Sequence, residues 1–206
     1  IKKKVDRYME YYGYAGKILK VNLTDSKIEQ KDLNLEEATK YLGSYGFGMK
    51  YLLDHLPPKV DPFSEKNIIV ISAGILSGTL APGTPKVSLI TKYPTIADNE
   101  GKNWIGSSVA GGSFALVLKN AGFDCIIITG KSKKPVFLEI IDDEIKLCDA
   151  SEYWGKRDVV EVTHDFKMKY GDDSSVIAIG PAGENLVRQA MAFVDDTDSL
   201  GRSGLG

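Results

Sequence analysis

Short apolar runs bounded by turn residues recur along the chain and constrain its fold more than any other feature. Such runs are typical of β-strands, and they lie at residues 67–72, 86–92, 125–129, 175–179 and 186–194. Because they do not alternate regularly with helical segments, they do not predict the repeated strand–helix–strand units of a doubly wound nucleotide fold. The pattern favours an α+β fold with largely antiparallel or mixed β-sheets.

The first part of the chain predicts a β-hairpin followed by two helices. Apolar and polar residues alternate over residues 16–23, stop at a Thr-Asp-Ser turn and resume at residues 27–29. A helix is predicted over residues 35–42, with Asn34 as its N-cap. A second helix is predicted from about residue 48 to residue 55, directly before two prolines.

The same order recurs in the second half of the chain. Strand-like residues 135–141 and 144–148 flank an Asp-Asp turn, and a helix is predicted over residues 158–170. Two hairpin-plus-helix units suggest an internal duplication. We therefore expect an internally duplicated α+β fold, with two mostly antiparallel or mixed β-sheets and a few helices.

Composition and charge limit the classes of protein and partner. The chain has 206 residues, 43% of them hydrophobic and 26% charged, and its formal net charge is −2. This mixture fits one globular domain, and it does not predict a nucleic-acid partner, since phosphate binding normally needs a positive excess. No apolar run approaches the ~20 residues that cross a bilayer, so we expect no membrane partner and a cytoplasmic location.

The two cysteines and two histidines are too isolated in sequence to predict a metal site. Cys125 and Cys148 lie inside strand-like runs without a C-x-x-C spacing, which favours buried structural thiols over a redox or metal role. His55 and His164 are just as isolated from other histidines and from the cysteines, and a surface or packing role is favoured for both. The sequence therefore predicts no metal site built from protein side chains.

Glycine is enriched and concentrated in four clusters. It makes up 21 of the 206 residues, about a tenth, against a usual ~7%. The clusters lie at residues 74–83, 111–112, 180–183 and 201–206. One interpretation is that they form tight turns with positive φ. The other is that these loops converge on one large, phosphate-bearing ligand, with Gly111 and Gly112 at the amide end of a helix over residues 113–120.

Ordered motifs along nearly the whole chain carry a family resemblance. They lie at residues 12–24, 41–43, 57–64, 121–124 and 179–185. Together they resemble the N-terminal domain of the aldehyde ferredoxin oxidoreductases. The resemblance covers residues 12–206 and leaves residues 1–11 as an N-terminal extension. It implies that helical iron–sulfur domains of the family lie outside this chain, which would be an inactive fragment by itself.

The resemblance also implies an activity, cofactors and partners. Members of this family bind tungsten or molybdenum through two pterins, oxidise a small aldehyde to the carboxylic acid and pass electrons through a [4Fe–4S] cluster to ferredoxin. Because the pterins supply the sulfur ligands of the metal, the protein need not supply a Cys/His cluster. The implied partners are ferredoxin, the aldehyde and the remaining domains of the same enzyme, with a homodimer left open.

The resemblance places cofactor contacts at particular positions and places no catalytic residue in this chain. The glycines that approach a pterin correspond to Gly111 and Gly112. Lys86 stands where the family commonly has an arginine, and Val109 stands where it often has an asparagine. The remaining implied contacts belong to one segment, Ser199, Leu200, Gly201 and Arg202.

Departures from the family pattern keep two alternatives open. Asp198 stands where an arginine is often found, and residues 98–103 lengthen one connection. Together with Val109, these differences are compatible with a related reductase subunit that acts on an aromatic acyl thioester. They are also compatible with a non-catalytic scaffold domain that has lost the cofactor.

Overall fold

The computed structural model describes residues 13–201 and 204–206. The predicted N-terminal extension, residues 1–11, lies outside the described residues. No helix in the described part of the chain has both the length and the apolar character needed to span a membrane.

A six-stranded mixed sheet forms the centre of the fold. Its strands are β1 (Lys17–Asn22), β2 (Lys27–Asp32), β3 (Ile68–Ala73), β4 (Val87–Ala97), β5 (Asn103–Ala110) and β6 (Cys125–Thr129). They are hydrogen-bonded in the order β2-β1-β6-β3-β4-β5. Only the β1–β6 pair is parallel among these neighbours.

The later strands form two smaller antiparallel sheets. One pairs β7 (Val136–Ile141) with β8 (Glu144–Asp149), and the other contains β9 (Ile177–Ile179), β10 (Ala192–Val194) and β11 (Asp198–Leu200). The helices are α1 (Leu35–Tyr41), α2 (Ser44–His55), α3 (Phe114–Asn120), α4 (Val159–Tyr170) and α5 (Pro181–Glu184).

Both faces of the six-stranded sheet are covered, because successive side chains of a strand point to opposite faces. On one face, Val70 and Ile90 pack in a core with Leu52 of α2. On the other face, residues such as Leu89 pack with Leu118 of α3 and with the β10–β11 hairpin. The sheet is therefore the middle of three layers.

The predicted α+β class with antiparallel and mixed sheets is confirmed. Both predicted hairpin-plus-helix units are present, as β1–β2 with α1 and as β7–β8 with α4. Asn34 caps α1, and Asp158 with Glu161 forms a capping box on α4. The two hairpins differ in surroundings, because β1 also pairs with β6 while the β7–β8 hairpin forms a sheet of its own.

Two element boundaries differ from the sequence prediction. Helix α2 begins at Ser44 rather than near residue 48, since burial of Phe47 favours helix despite Gly46. The run at residues 186–194 forms a strand only at Ala192–Val194. Its first part turns at the end of α5: the Leu186 amide donates to the Gly183 carbonyl oxygen, and Leu186 has a left-handed φ of 56°.

Candidate functional site

One end of β4 and β5 brings four of the predicted cofactor contacts together. The antiparallel register pairs Val87 with Ala110, so Lys86 before β4 and Gly111 after β5 lie at the same end. We call the group Lys86, Val109, Gly111 and Gly112 the glycine corner. Its Lys86 side chain is exposed, and Val109 is 48% exposed.

Strand β11 lies beside β5 and brings residues 198–201 next to the glycine corner. The Ser199 side chain is exposed and Gly201 is half-buried. Leu200 is fully buried in the apolar core, so only its backbone can face a ligand. Arg202 lies outside the described residues.

The missing side chains of the two glycines make room for protein atoms. A Cβ on Gly111 would lie 2.5 Å from Oδ1 of Asp198. Gly112 has a φ of +77°, and a Cβ there would lie 2.8 Å from Cγ1 of Val194. Glycine is therefore needed at both positions for the β10–β11 hairpin to approach β5.

A second carboxylate, Asp195, lies at the start of α3. It accepts hydrogen bonds from Oγ of Ser113 at 2.7 Å, Oγ of Ser175 at 2.7 Å and the Val176 amide at 2.9 Å. Lys167 Nζ lies 3.4 Å from Oδ1. Burial alone would raise the pKa of Asp195, but these hydrogen bonds and the Lys167 charge hold it below its ordinary value.

These carboxylates change the interpretation of the α3 amide end. Helix α3 has only seven residues, and Ser113 turns its hydroxyl to Asp195 instead of capping the helix. The Asp198 carboxylate lies near Gly111 and Gly112, the two glycines before Ser113. Two carboxylates thus lie near the amide end of α3, and the anion contact expected there stays a prediction.

Asp195 is a site residue that sequence reasoning missed. Its sequence signal is the Asp195-Asp196 pair between two short apolar runs, which is typical of a tight turn. In the structure both residues adopt left-handed φ values, 52° and 63°, and join β10 to β11.

Two other glycine clusters pack backbone against backbone. A Cβ on Gly183 would lie 2.3 Å from the Gly206 carbonyl oxygen, and one on Gly204 would lie 1.7 Å from the Arg188 carbonyl oxygen. Gly183 and Gly204 are therefore packing glycines, whereas a Cβ on Gly201 would lie 3.6 Å from its nearest atom and Gly201 stays a predicted ligand contact. In the loop at residues 74–83, Gly83 has open space around it, while Gly78 packs near Lys119.

The described cysteines and histidines form no metal site. Burial raises the pKa of the fully buried Cys125 thiol, as expected for a structural cysteine. Cys148 is half-buried. The described residues contain no group of three or more His, Cys, Asp or Glu side chains that could hold a metal ion.

The glycine corner offers polar contacts to an anionic ligand. The exposed Lys86 supplies a positive charge and the exposed Ser199 a hydroxyl, whereas the Cβ directions of Gly111 and Gly112 are already occupied by Asp198 and Val194. The Asp198 carboxylate at Gly111 has the opposite charge, so a phosphate here needs Lys86 or a bound cation between the two.

Comparisons with known proteins identify relatives of this chain. A family model described as "Aldehyde ferredoxin oxidoreductase, N-terminal domain" matches residues 18–206. A tungsten-containing aldehyde ferredoxin oxidoreductase of Pyrococcus abyssi is 44% identical over 196 residues, which cover 95% of this chain and 31% of the relative. An "Aliphatic sulfonate oxidoreductase, WOR-like subunit" of Pyrococcus furiosus is 35% identical over 95% of this chain and 32% of the relative.

A solved structure gives the corresponding similarity in three dimensions. It is described as "Active site complex BamBC of Benzoyl Coenzyme A reductase in complex with 1,5 Dienoyl-CoA". The TM-score is 0.85 at 36% sequence identity, covering 94% of this chain and 28% of that chain. The chain thus spans about a third of the length of the curated relatives it matches.

Proposed function

The chain belongs to the aldehyde ferredoxin oxidoreductase family, and we propose that it forms the N-terminal pterin-binding domain of a tungsten-dependent enzyme that oxidises aldehydes to carboxylic acids. The observation that carries the proposal is 44% identity to a tungsten-containing aldehyde ferredoxin oxidoreductase over 95% of the chain. The glycine corner supports it, because the residues carried over from the family pattern lie together at one end of the sheet.

The chain's own residues bind and orient the cofactor in this proposal. Lys86 pairs with an anionic group and Ser199 offers a hydroxyl hydrogen bond, while Gly111 and Gly112 let the hairpin that carries Ser199 pack beside β5 and keep their backbone at this surface. The segment of Leu200, Gly201 and Arg202 completes the proposed contacts. When bound, a tungsten or molybdenum bis-pterin supplies two-electron oxidation and reduction.

The remaining parts of the enzyme complete the active site. We place the pterin-binding domain at residues 12–206, after an N-terminal extension at residues 1–11. Domains outside this chain bind the [4Fe–4S] cluster and line the aldehyde pocket, so the chain alone is inactive. The full enzyme is cytoplasmic in this proposal and transfers electrons to ferredoxin, and a homodimer is a compatible assembly.

A related reductase subunit acting on an aromatic acyl thioester is the second candidate. A benzoyl-coenzyme A reductase complex shares this fold at 36% identity, which favours the candidate. Val109 and Asp198 add support, because both depart from the pattern of the aldehyde-oxidising family.

The activity of the full-length protein separates these functions. We expect the protein, purified without oxygen from cells supplied with tungstate, to reduce a viologen dye when given an aldehyde. Aldehyde-independent reduction of an aromatic acyl-coenzyme A by a reduced dye would instead favour the second candidate. Loss of both activities in a protein that contains the metal and the cluster would contradict both, and a folded protein without either metal would favour a non-catalytic scaffold.

A further inference from the structure

A basic cavity lies at the opposite end of β4 and β5 from the glycine corner. Because a strand rises about 3.3 Å per residue, Lys92 lies roughly 16 Å along β4 from Val87. The cavity has a volume of about 270 Å³. Its charged lining residues are Lys59, Asp61, Lys92, Lys102 and Arg188, and we call it the basic pocket.

Lys92 is the most unusual residue of the basic pocket. It is only 8% exposed and follows Ile90 on the same face of β4, so its aliphatic stem is buried against the core. Among the described residues its ammonium has no hydrogen-bond or ion-pair partner, while its carbonyl oxygen accepts a bond from Asn67. Lys92 also lines the cavity, so its ammonium can pair with an anionic ligand there.

Arg188 is held in place beside Lys92. Its Nη1 donates to the Pro94 carbonyl oxygen at 3.0 Å, and its guanidinium carbon lies 5.7 Å from the centre of the Phe63 ring. These contacts use only part of the five-donor guanidinium and fix its orientation. Further N–H groups therefore remain for a ligand in the cavity.

The other charges leave the basic pocket positive. One carboxylate oxygen of Asp61 accepts a hydrogen bond from the Phe63 amide, and this bond closes a local turn. Lys102 pairs with Glu100 at the tip of the β4–β5 hairpin. Lys59 is exposed and takes a left-handed φ of 63°, a conformation that a lysine rarely adopts. The lining thus carries four cations and one carboxylate, and Glu100 outside the lining pairs with Lys102.

We propose that the basic pocket binds a phosphoryl group, either as free phosphate or as the phosphate end of a larger ester. Arg188 offers a planar set of N–H donors, and the ammonium groups of Lys59, Lys92 and Lys102 line the same cavity. The cavity is smaller than the ~300–1,000 Å³ typical of drug-sized ligands, so it takes a phosphate or diphosphate rather than a whole cofactor. This site does not depend on the proposed function, because it shares no residue with the glycine corner.

Calorimetric titration of the full-length protein with pyrophosphate tests the proposal. We expect Lys92→Met to raise the Kd by about tenfold or more, because it removes a charge-assisted hydrogen bond. Lys102→Met should raise the Kd less, since its ammonium is exposed and shared with Glu100. Lys133→Met, a change at an exposed lysine outside the pocket, should leave the Kd unchanged.

Further titrations with ADP and with the variants identify the source of the phosphate and the location of the site. Stronger binding of ADP than of pyrophosphate would support the proposal with a nucleotide-bearing ligand, and equal binding would support it with free phosphate. Failure of the full-length protein to bind either anion would overturn it, since the cavity would then be filled by another part of the protein. Binding that is lost in Lys86→Met but kept in Lys92→Met and Lys102→Met would also overturn it. If Lys92→Met does not fold, Arg188→Gln at an exposed residue of the pocket decides instead: a raised Kd would support the proposal and an unchanged Kd would overturn it.

Discussion

The Nζ atom of Lys119 lies 2.7 Å from Oδ1 of Asp124, and both side chains are less than a tenth exposed. The same carboxylate accepts hydrogen bonds from the amides of Ala15 at 3.0 Å and Gly16 at 2.7 Å, and Lys119 also donates to the Gly13 carbonyl oxygen at 2.6 Å. This buried network ties the end of α3 and the start of β6 to the segment before β1.

Removing the Lys119 charge should strongly destabilise the fold. Lys119→Met leaves the Asp124 carboxylate buried without its cation, which costs roughly 3–5 kcal/mol in the free energy of unfolding. Urea unfolding measures the loss. As a control, Lys146→Met removes the exposed partner of Glu144 and should cost less than about 1 kcal/mol. Equal losses in the two variants would contradict the structural role of the buried pair.

Asp195 should make stability depend on pH in the acidic range. Its hydrogen bonds lower its pKa in the folded state, so the stability it contributes is present above the unfolded-state pKa near ~3.9 and is lost as pH falls through the folded-state value. We expect Asp195→Asn to lower stability at neutral pH and to flatten the loss on acidification, measured by urea unfolding at several pH values. Asp196→Asn, at an exposed neighbour in the same turn, should keep the wild-type slope. An unchanged slope in Asp195→Asn would disprove this role.

Gly183 should be required for packing rather than for ligand binding. Its missing side chain lets the Gly206 carbonyl oxygen approach, and a Cβ would lie 2.3 Å from that atom. We expect Gly183→Ala to cost about 1–3 kcal/mol in thermal or urea unfolding. Gly201→Ala, whose new methyl would meet its nearest atom at 3.6 Å, serves as the control and should change stability much less. The reverse order would be inconsistent with backbone packing at Gly183.

Removing the Thr163 hydroxyl should stabilise the fold. Its Oγ1 is buried and has no hydrogen-bond partner among the described residues. Thr163→Val therefore removes an unsatisfied polar group and should raise the free energy of unfolding by about 1 kcal/mol. The matched change Thr91→Val should lower it, because Thr91 Oγ1 donates to the Ile68 carbonyl oxygen at 2.8 Å. A loss of stability in both variants would show that the Thr163 hydroxyl is satisfied.

Local patterns made much of the fold predictable from the sequence. The β1–β2 hairpin, the Asn34 cap and the capped helix α4 depend on neighbouring residues, so their periodicity and capping residues indicated them. The start of α2 and the turn at Leu186 did not follow from local pattern, because tertiary burial and the preceding helix decide them.

The candidate site was predictable only in part. The family resemblance indicated Lys86 and Gly111, and the β4–β5 register then placed them at one end of the sheet. The contact of Asp198 with Gly111 joins residues far apart in sequence, so no local pattern predicts it. Lys92 lay at the end of a predicted apolar strand, but its cavity depends on residues from four separate segments.

Metal and pterin content of the full-length protein tests the central claim most directly. The protein should be purified without oxygen from cells grown with tungstate, and its metals and pterin should be quantified together. We predict tungsten, or molybdenum in its place, with pterin in the proportion of a bis-pterin cofactor. Lys86→Met should lower this occupancy, while Lys133→Met should not. A folded wild-type protein that contains neither metal nor pterin would contradict the proposed function.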